Sequence, residues 1–471
     1  MHVWFTFFLS CWAPAPTLTT TDGIESAAGG DGIEEYVTRD TLPGGLTLAL
    51  LPRITEGAKV HLALTIRFGS EAALKGKVAA ARLLPALLLH QIQEGGAHGL
   101  KERLDALGAT VEFVQDQGAT RSISVVQVRV RTVHANLSPV VRLLGEWLRR
   151  PVFTKKGLAT VQRSSLAEAA ALLKDPIAAG SEALVRRLAP YPPDDVRHVP
   201  TIREAIVGQR KVRLAELAAL HRRLWGADAA QLSVVGDFDP DELKESVGRF
   251  LAPWKSREPY RPIRLPFRNN LPGSDTIDTP DRTMAFVGAG QELRLRDDDP
   301  EYPALYLWNF LLDAGPTSRL LLRLRRFGCS ASATFSRLYA HPIDRNTQFY
   351  AGAIVDPADM DRGMAALSAE IEDLLKYGVG AVELAEAKRA YAENWQKRMV
   401  EGEFLLGELN QGLFLGRTFA YWAELNRKIE GLTAAEVNAA ARRFIDPTRF
   451  SKAAAGDLAK KSYGSARNLD I

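Results

Sequence analysis

Cysteine is nearly absent from this sequence, which has only Cys11 and Cys329 among its 471 residues. Two cysteines exclude a disulfide framework and a cysteine-based metal site. After the first few residues, no apolar run approaches the roughly 20 residues that a transmembrane helix needs. A large excess of one charge is also missing, because the formal net charge is only +4. That balance argues against a strongly basic nucleic-acid-binding face, and the chain is long enough for roughly two to four domains.

The N-terminus differs from the rest of the chain. Residues 1–15, MHVWFTFFLSCWAPA, form an apolar run that ends at Cys11 and is followed by small residues and proline. This pattern is typical of a bacterial export signal with Cys11 as the lipid-attachment cysteine, and it predicts a periplasmic or cell-envelope protein. Because no Lys or Arg precedes the run, an irregular N-terminus or a misassigned start is the alternative. Residues 17–32 are rich in Thr, Gly and Ala, so residues 1–34 are interpreted as a signal-like segment and a flexible tether.

The next segment, residues 35–252, begins with strand patterns and ends with helical ones. A hairpin is predicted around Pro43-Gly44-Gly45, because a turn sequence there separates two apolar runs. The other predicted strands are residues 60–68, 110–115, 122–131 and 231–235. The predicted helices are a long apolar one up to Gly95-Gly96, a short one over 100–107, a series over 137–224 and one over 241–251 that starts with an acidic turn.

The same order of elements returns in residues 274–460, after a Pro- and Arg-rich linker over 253–273. Strands are predicted at 284–289, 330–339 and 348–355, and helices at 302–312, 318–326 and throughout 359–444; residues 461–471 form a tail. This repeat predicts an α+β protein of two homologous halves. Since clefts between domains are common binding sites, a ligand is expected between the halves.

Several motifs resemble the pitrilysin/insulinase family of zinc metallopeptidases, the inverzincins. The residues that carry the resemblance are 67–71 (RFGSE), 104–109 (LDALGA), 232–240 (LSVVGDFDP), 315–326 (GPTSRLLLRLRR) and the region 377–447. The family includes mitochondrial processing peptidase, and core subunits of the respiratory cytochrome bc complex are relatives without peptidase activity. The resemblance covers about residues 35–460. It implies two halves, each an antiparallel-rich sheet covered by helices, that close like a clamshell on an extended peptide.

The zinc motif of this family is missing. Active members carry H-x-x-E-H on the helix after the Gly-Ser-Glu strand, where two His hold zinc and the Glu serves as base. Alignment from either side of the helix places this motif at 82–86 (RLLPA) or at 86–90 (ALLLH), and neither restores it. In the first alignment Arg82 replaces a ligand and would repel a dication, and Pro85 would interrupt the helix.

Three residues are candidates for a remaining metal site, two of them in or just after this helix and one farther along the chain. His90 is one histidine, which cannot hold zinc alone, and His98 follows in a predicted loop. Glu168 falls where the third ligand of the family would lie. Without the two histidines it is interpreted as an ordinary solvated helix residue. No metal ligand, catalytic residue or cofactor is therefore predicted in this chain, and zinc is expected only in a partner subunit.

The second half retains one part of the family's substrate-binding pair. Family members use an Arg and a Tyr, seven residues apart, to hold the substrate carbonyl and its oxyanion. Arg325 matches the Arg, whereas Ser332 or Ala331 occupies the Tyr position and Tyr339 lies too far along the chain. Arg325 is thus a candidate contact for a peptide carbonyl. The alternative is a surface arginine at a helix C-terminus, where a positive charge is favourable.

Peptide binding does not require the catalytic residues. In the family, the strand after Leu-Gly-Gly or Leu-Gly-Ala presents an edge to which substrate adds as a further strand. Here that strand contains Thr110, Val111, Glu112 and Phe113, which are the other candidate substrate-binding residues. The alternative is an ordinary strand whose edge is covered by its own domain.

Three functions follow from these observations. The first is a non-catalytic family member, inactive on its own, that forms a heterodimer with a zinc-bearing relative to bind or process peptides or unfolded polypeptide. The second is a stand-alone structural or peptide-binding envelope protein, which the missing Tyr favours. The third is an active zinc peptidase with atypical ligands, although none of the eight histidines has the spacing of a known zinc motif. No nucleic acid is expected as a partner.

Overall fold

The computed structural model describes residues 31–93, 99–115, 123–313, 318–341 and 343–460. Its strands are β1 (Thr38–Thr41), β2 (Thr47–Pro52), β3 (Lys59–Arg67), β4 (Thr110–Gln115), β5 (Val125–Val133), β6 (Gln231–Gly236), β7 (Gly273–Asp278), β8 (Ala285–Leu293), β9 (Ala331–Ala340), β10 (Thr347–Val355) and β11 (Ser451–Gly456). Its helices in the first half are α1 (Asp31–Glu34), α2 (Glu71–Leu74), α3 (Val78–Gln93), α4 (Leu100–Ala106), α5 (Leu137–Arg149), α6 (Lys155–Leu172), α7 (Pro176–Leu188), α8 (Ile202–Lys211), α9 (Leu214–Leu224) and α10 (Pro240–Phe250). Those in the second half are α11 (Tyr302–Leu312), α12 (Arg319–Arg326), α13 (Met360–Tyr377), α14 (Ala381–Met399), α15 (Gly402–Leu415), α16 (Phe419–Gly431) and α17 (Ala434–Phe444).

Two separate sheets organise the described chain. The first has the strand order β1-β2-β6-β3-β5-β4, and the second has the order β7-β11-β8-β10-β9. One pair in each sheet is parallel, β2 with β6 and β7 with β11, and the other neighbours are antiparallel. All residues of the central strands β8 and β10 are buried. A strand covered on both faces shows no polar alternation, which explains their long runs of apolar and small residues.

The two halves share one topology. Without β1, the first sheet reads β2-β6-β3-β5-β4, which matches the second sheet strand for strand. The turn before each edge strand is repeated as well: Ala109 donates its amide to the Leu104 carbonyl, and Cys329 donates to the Leu324 carbonyl, both at 2.9 Å. Each turn contains a glycine with positive φ, Gly108 at 55° and Gly328 at 68°. The predicted α+β fold with two similar halves is confirmed.

Each half contributes one helix to the sheet of the other half. Helix α7 packs on β7, β8 and β11, and helix α15 packs on β2, β3 and β6. Leu405, Leu406 and Leu409 of α15 lie in one buried cluster with apolar residues of the first sheet. The side-chain amide nitrogen of Asn410, Nδ2, donates to the Ala63 carbonyl at 2.8 Å. Because one face of each sheet is covered by a helix of the other half, the halves form one interlocked body.

Strands β7 and β11 are absent from the sequence prediction for a physical reason. The sequence of β7 is GSDTID and that of β11 is SKAAAG. Strand β11 has no β-branched or aromatic residue, and β7 has only Thr276 and Ile277 among small and acidic residues, so tertiary pairing decides their structure. In the described part of the chain, no helix combines the length and apolar character that a bilayer span requires.

Helix α15 also carries a carboxyl group that we expect to make stability depend on pH. Burial raises the pKa of Glu408 from its ordinary value of 4.5 to about 7, although Trp422 donates its indole N–H to this carboxyl at 2.8 Å. Between these two values the folded protein holds a proton that the unfolded chain has released. The free energy of unfolding should therefore fall by on the order of 1–3 kcal/mol as pH rises from 4.5 to 7.

The variant Glu408→Gln isolates this contribution. We expect urea unfolding at pH 5 and pH 7.5 to show a smaller loss of stability with rising pH in Glu408→Gln than in the wild type. Glu386→Gln, which changes an exposed glutamate of α14, serves as the control and should keep the wild-type slope. Equal slopes in all three proteins would show that Glu408 titrates normally.

Candidate functional site

The helix expected to hold zinc is α3, and its side chains are mostly apolar. Leu83, Leu84, Leu87 and Leu88 are buried in the core of the first half. Arg82, the first ligand position in one alignment, has a pKa lowered to about 10 by burial. A guanidinium at this position raises the electrostatic cost of a nearby dication.

The expectation that Pro85 interrupts the helix is wrong. Helix α3 runs from Val78 to Gln93 with Pro85 inside it. Proline removes one backbone donor and crowds the preceding turn. Since the helix is packed into the core of the first half, tertiary contacts hold it through this position.

His90 and Glu168 do not converge. The His90 ring lies against Gly157 of α6: a Cβ placed on that glycine would be 3.2 Å from His90 Cδ2. Glu168 is on the same helix, three turns later, or about 16 Å along its axis. A zinc ion bound to both residues would need ligand distances of about 2 Å, which this separation excludes.

The described residues contain no group of three or more His, Cys, Asp or Glu side chains that could hold a metal ion. His98 lies outside the described residues. That the purified protein binds no metal ion remains a prediction, which metal analysis in solution would test. The residues at the family's ligand positions nevertheless do not fit zinc.

Strand β4, with Thr110, Val111, Glu112 and Phe113, is the last strand of the first sheet. The Phe68 amide donates to the Ser124 carbonyl at 2.9 Å, so Ser124, directly before β5, points its backbone groups toward β3. Backbone groups alternate in direction along a strand, so every second residue of β5 points toward β3 and the others toward β4. The residues of β5 that pair with Thr110 and Glu112 point toward β4, and the backbone groups of Thr110 and Glu112 therefore point toward β5. The amides of Val111 and Phe113 then point to the outer edge of β4, which has no strand beside it among the described residues.

The side chains of β4 divide between two environments. Val111 and Phe113 pack against the core of the first half, and the Phe113 ring meets Trp147 edge-on at 5.7 Å. The Thr110 and Glu112 side chains are exposed on the opposite face. The edge is thus fixed by packing on one side and open to polar contacts on the other.

A charged cluster adjoins this edge and is not apparent from the sequence. Glu403 of α15 lies 3.0 Å from His61 Nδ1, 3.3 Å from Arg131 Nε and 3.7 Å from Arg129 Nη1. The hydrogen bond from His61 and the two arginines lower the pKa of Glu403. The residues come from β3, β5 and the helix exchanged from the other half, so only the tertiary structure brings them together.

Arg325 lies apart from β4. It is exposed in the last turn of α12, a helix that packs on α13 and β9 in the second half. By the repeated turn described above, Arg325 corresponds to Asp105 of the first half. Ser332, one of the two residues that can occupy the Tyr position, has its hydroxyl 3.4 Å from the Ile354 carbonyl. The roles of Arg325 and the β4 residues in peptide binding remain predictions.

Part of the chain matches a known protein family. Residues 211–391 match the family model described as the peptidase M16 inactive domain. This part of the chain is homologous to the inactive domain of the M16 peptidases. The matched region includes α9, β6, the linker and the second half as far as α14, and it confirms the resemblance to pitrilysin-like peptidases. No curated protein matched the sequence.

Solved structures share the M16 fold across nearly the whole described chain. The peptidase M16 inactive domain from Pseudomonas fluorescens is 20% identical, with a TM-score of 0.75 over 89% of this chain and 97% of that one. A protease from Helicobacter pylori is 16% identical, with a TM-score of 0.74 over 89% of this chain and 99% of that one. The periplasmic protease PqqL from Escherichia coli is 17% identical, with a TM-score of 0.65 over 94% of this chain but only 48% of its own.

Proposed function

We propose that this chain is a non-catalytic M16-like subunit that binds peptides and pairs with a zinc-bearing relative. Helix α3 carries the proposal. The resemblance puts the catalytic helix of the family at α3, and this helix carries Arg82, Pro85 and leucines instead of zinc ligands and a general base. The edge of β4, which needs only backbone groups to bind a peptide, is retained.

The length of one structural neighbour, PqqL, supports a two-chain arrangement. PqqL contains about twice the length that this chain matches. A second M16-like chain would supply the corresponding remainder. In such a pair the zinc-bearing chain would polarise the scissile carbonyl and activate water. This chain would hold the peptide at β4, with Arg325 as a candidate carbonyl contact.

A periplasmic or envelope location fits this proposal. The N-terminal run ending at Cys11 supports export, and PqqL is described as periplasmic. Intact mass of the protein from its native membranes should reveal cleavage before Cys11 and an added lipid. A full-length, unmodified N-terminus in the cytosol would contradict this part of the proposal.

Reconstitution tests the function directly. We expect the purified chain to leave a quenched fluorescent peptide library uncleaved, and a zinc-bearing M16 relative from the same organism to gain activity when this chain is added. The gain should saturate at one chain per relative. If the relative is equally active alone, the second function, a stand-alone peptide-binding protein, is favoured; cleavage by this chain alone would establish the third.

The edge of β4 provides a matched pair of proline variants. Val111→Pro removes an amide that faces the open edge, so peptide affinity should fall by about tenfold or more with little loss of stability. Glu112→Pro removes an amide that faces β5, and we expect it to cost roughly 1–3 kcal/mol of stability. Fluorescence anisotropy of a labelled extended peptide and urea unfolding measure the two effects. Unchanged peptide affinity in Val111→Pro would exclude β4 as the binding edge.

A further inference from the structure

The linker between the halves holds the whole excess charge of the protein. Residues 253–272, which we call the basic linker strip, carry five basic side chains and one acidic side chain, Glu258. The basic residues are Lys255, Arg257, Arg261, Arg264 and Arg268. Their formal net charge of +4 equals that of the entire chain, so the remainder is formally neutral. An approaching anion would be steered toward this strip.

The basic linker strip is held in place by both halves. On the first half, the amide of Arg261 donates to the Gly69 carbonyl at 2.9 Å. On the second half, the amide of Leu265 donates to Asp344 at 2.6 Å, and the side-chain nitrogen of Asn270 donates to the Arg449 carbonyl at 2.8 Å. The strip therefore presents its side chains from a fixed backbone, which reduces the entropy lost on binding.

The acidic groups along the strip already have basic or polar partners. Glu258 pairs with Arg223 at 2.5 Å, and the buried Asp344 pairs with Arg264 at 2.5 Å. The buried carboxyl of Glu292, beneath the strip, accepts a hydrogen bond from Gln348 at 2.5 Å. The side chains of Arg257, Arg261 and Arg268, in contrast, are exposed to solvent.

Two pockets with aromatic walls adjoin the strip. In the first, the centroid of the Tyr191 ring is 5.0 Å from Arg197 Cζ and 4.5 Å from Arg268 Cζ. The second pocket is lined by Phe267 and Phe444 together with polar side chains and three arginines, and Glu292 lines both pockets. These arginines are Arg294, Arg443 and Arg449. Arg294 stacks on Phe267 at 5.0 Å, and Arg443 pairs with Glu301.

We propose that the basic linker strip binds an extended acidic segment of a partner polypeptide. Carboxylates of the segment pair with Arg257, Arg261 and Arg268, and an apolar side chain of the segment enters the first pocket. Each charge pair at an exposed site is weak, and a row of them gives affinity that depends on salt. The strip is held along its backbone by both halves and adjoins a pocket that can take a side chain, so a peptide suits it better than a membrane. This binding is independent of β4 and of a zinc-bearing partner.

Anisotropy of a labelled glutamate-rich peptide of about twelve residues, the length of the strip from Arg257 to Arg268, tests the proposal. We expect the triple variant Arg257→Ser, Arg261→Ser, Arg268→Ser to bind at least roughly tenfold more weakly than the wild type at low salt. The matched control replaces three exposed arginines, in helices or directly after one, with serine and should bind within about twofold of the wild type. These are Arg150, Arg163 and Arg389.

Raising the salt concentration from about 50 mM to about 500 mM should weaken wild-type binding and narrow the difference from the triple variant. Equal affinity in the two triple variants overturns the proposal, as does failure of the wild type to bind the peptide. Binding of anionic vesicles or of an oligonucleotide in preference to the peptide, with loss in the strip variant, also overturns it. Matching thermal melts of the three proteins confirm that the substitutions leave the fold intact.

Discussion

A fragment that ends at Pro272 is expected to aggregate, although it contains every strand of the first sheet. Leu405, Leu406 and Leu409 of α15 cover the face of this sheet that includes Ala49, Leu51, Ala63 and Val235. Removing the second half exposes this face and also removes the buried hydrogen bond from Asn410 to the Ala63 carbonyl. Exposed apolar patches of more than a few hundred Å² promote association. Size-exclusion chromatography of residues 35–272 should therefore show aggregates or no soluble protein.

Co-expression provides the control for this experiment. The fragments 35–272 and 273–460 should rescue each other, because each supplies the helix that the other sheet lacks. The rescued complex should elute as one species and unfold in one transition. A soluble, monomeric first half with a cooperative melt of its own would show that the exchange of α7 and α15 is not needed for folding.

The substitution Gly180→Ala is expected to destabilise the protein by roughly 3 kcal/mol, the upper part of the range for overpacking. Gly180 of α7 lies where the exchanged helix meets the second sheet, and a Cβ there would be 2.3 Å from Phe286 Cδ1. The Phe286 ring is fully buried and stacks on Phe335 at 5.8 Å between ring centroids, so it cannot move aside. Urea unfolding measures the loss.

Gly248→Ala is the matched control for this substitution. Gly248 is also inside a helix, α10, but a Cβ there would meet nothing within 4 Å. Replacing glycine by alanine in a helix should by itself stabilise by roughly 0.5–1 kcal/mol. We therefore expect opposite signs for the two variants. Stabilisation by both would mean that α7 does not approach β8 as closely as described.

The sequence is informative wherever periodicity and turn chemistry decide the structure. The helix over 302–312 and the strand over 110–115 are predicted with the bounds they have, because each is a clear pattern ended by a turn or glycine. Periodicity also identifies the apolar face of a helix but not the sheet that covers it. For this reason the exchange of α7 and α15 could not be predicted.

Some features of the candidate site can likewise be predicted from the sequence, and others cannot. The loss of H-x-x-E-H can be read from the sequence because it concerns residues on one helix. The cluster around Glu403 could not be predicted, since His61, Arg129 and Glu403 lie hundreds of positions apart or on different strands. The linker is recognisable from its Pro and Arg content, but its attachment to both halves depends on tertiary contacts such as Asp344 with Arg264.

Native mass spectrometry of the chain affinity-purified from its own cells tests the central claim most directly, since one spectrum reports both partners and bound metal. We predict an equimolar complex with a second M16-like chain that carries H-x-x-E-H, with one zinc ion that remains with that second chain on dissociation. A single chain that carries stoichiometric zinc of its own would contradict a non-catalytic, peptide-binding subunit.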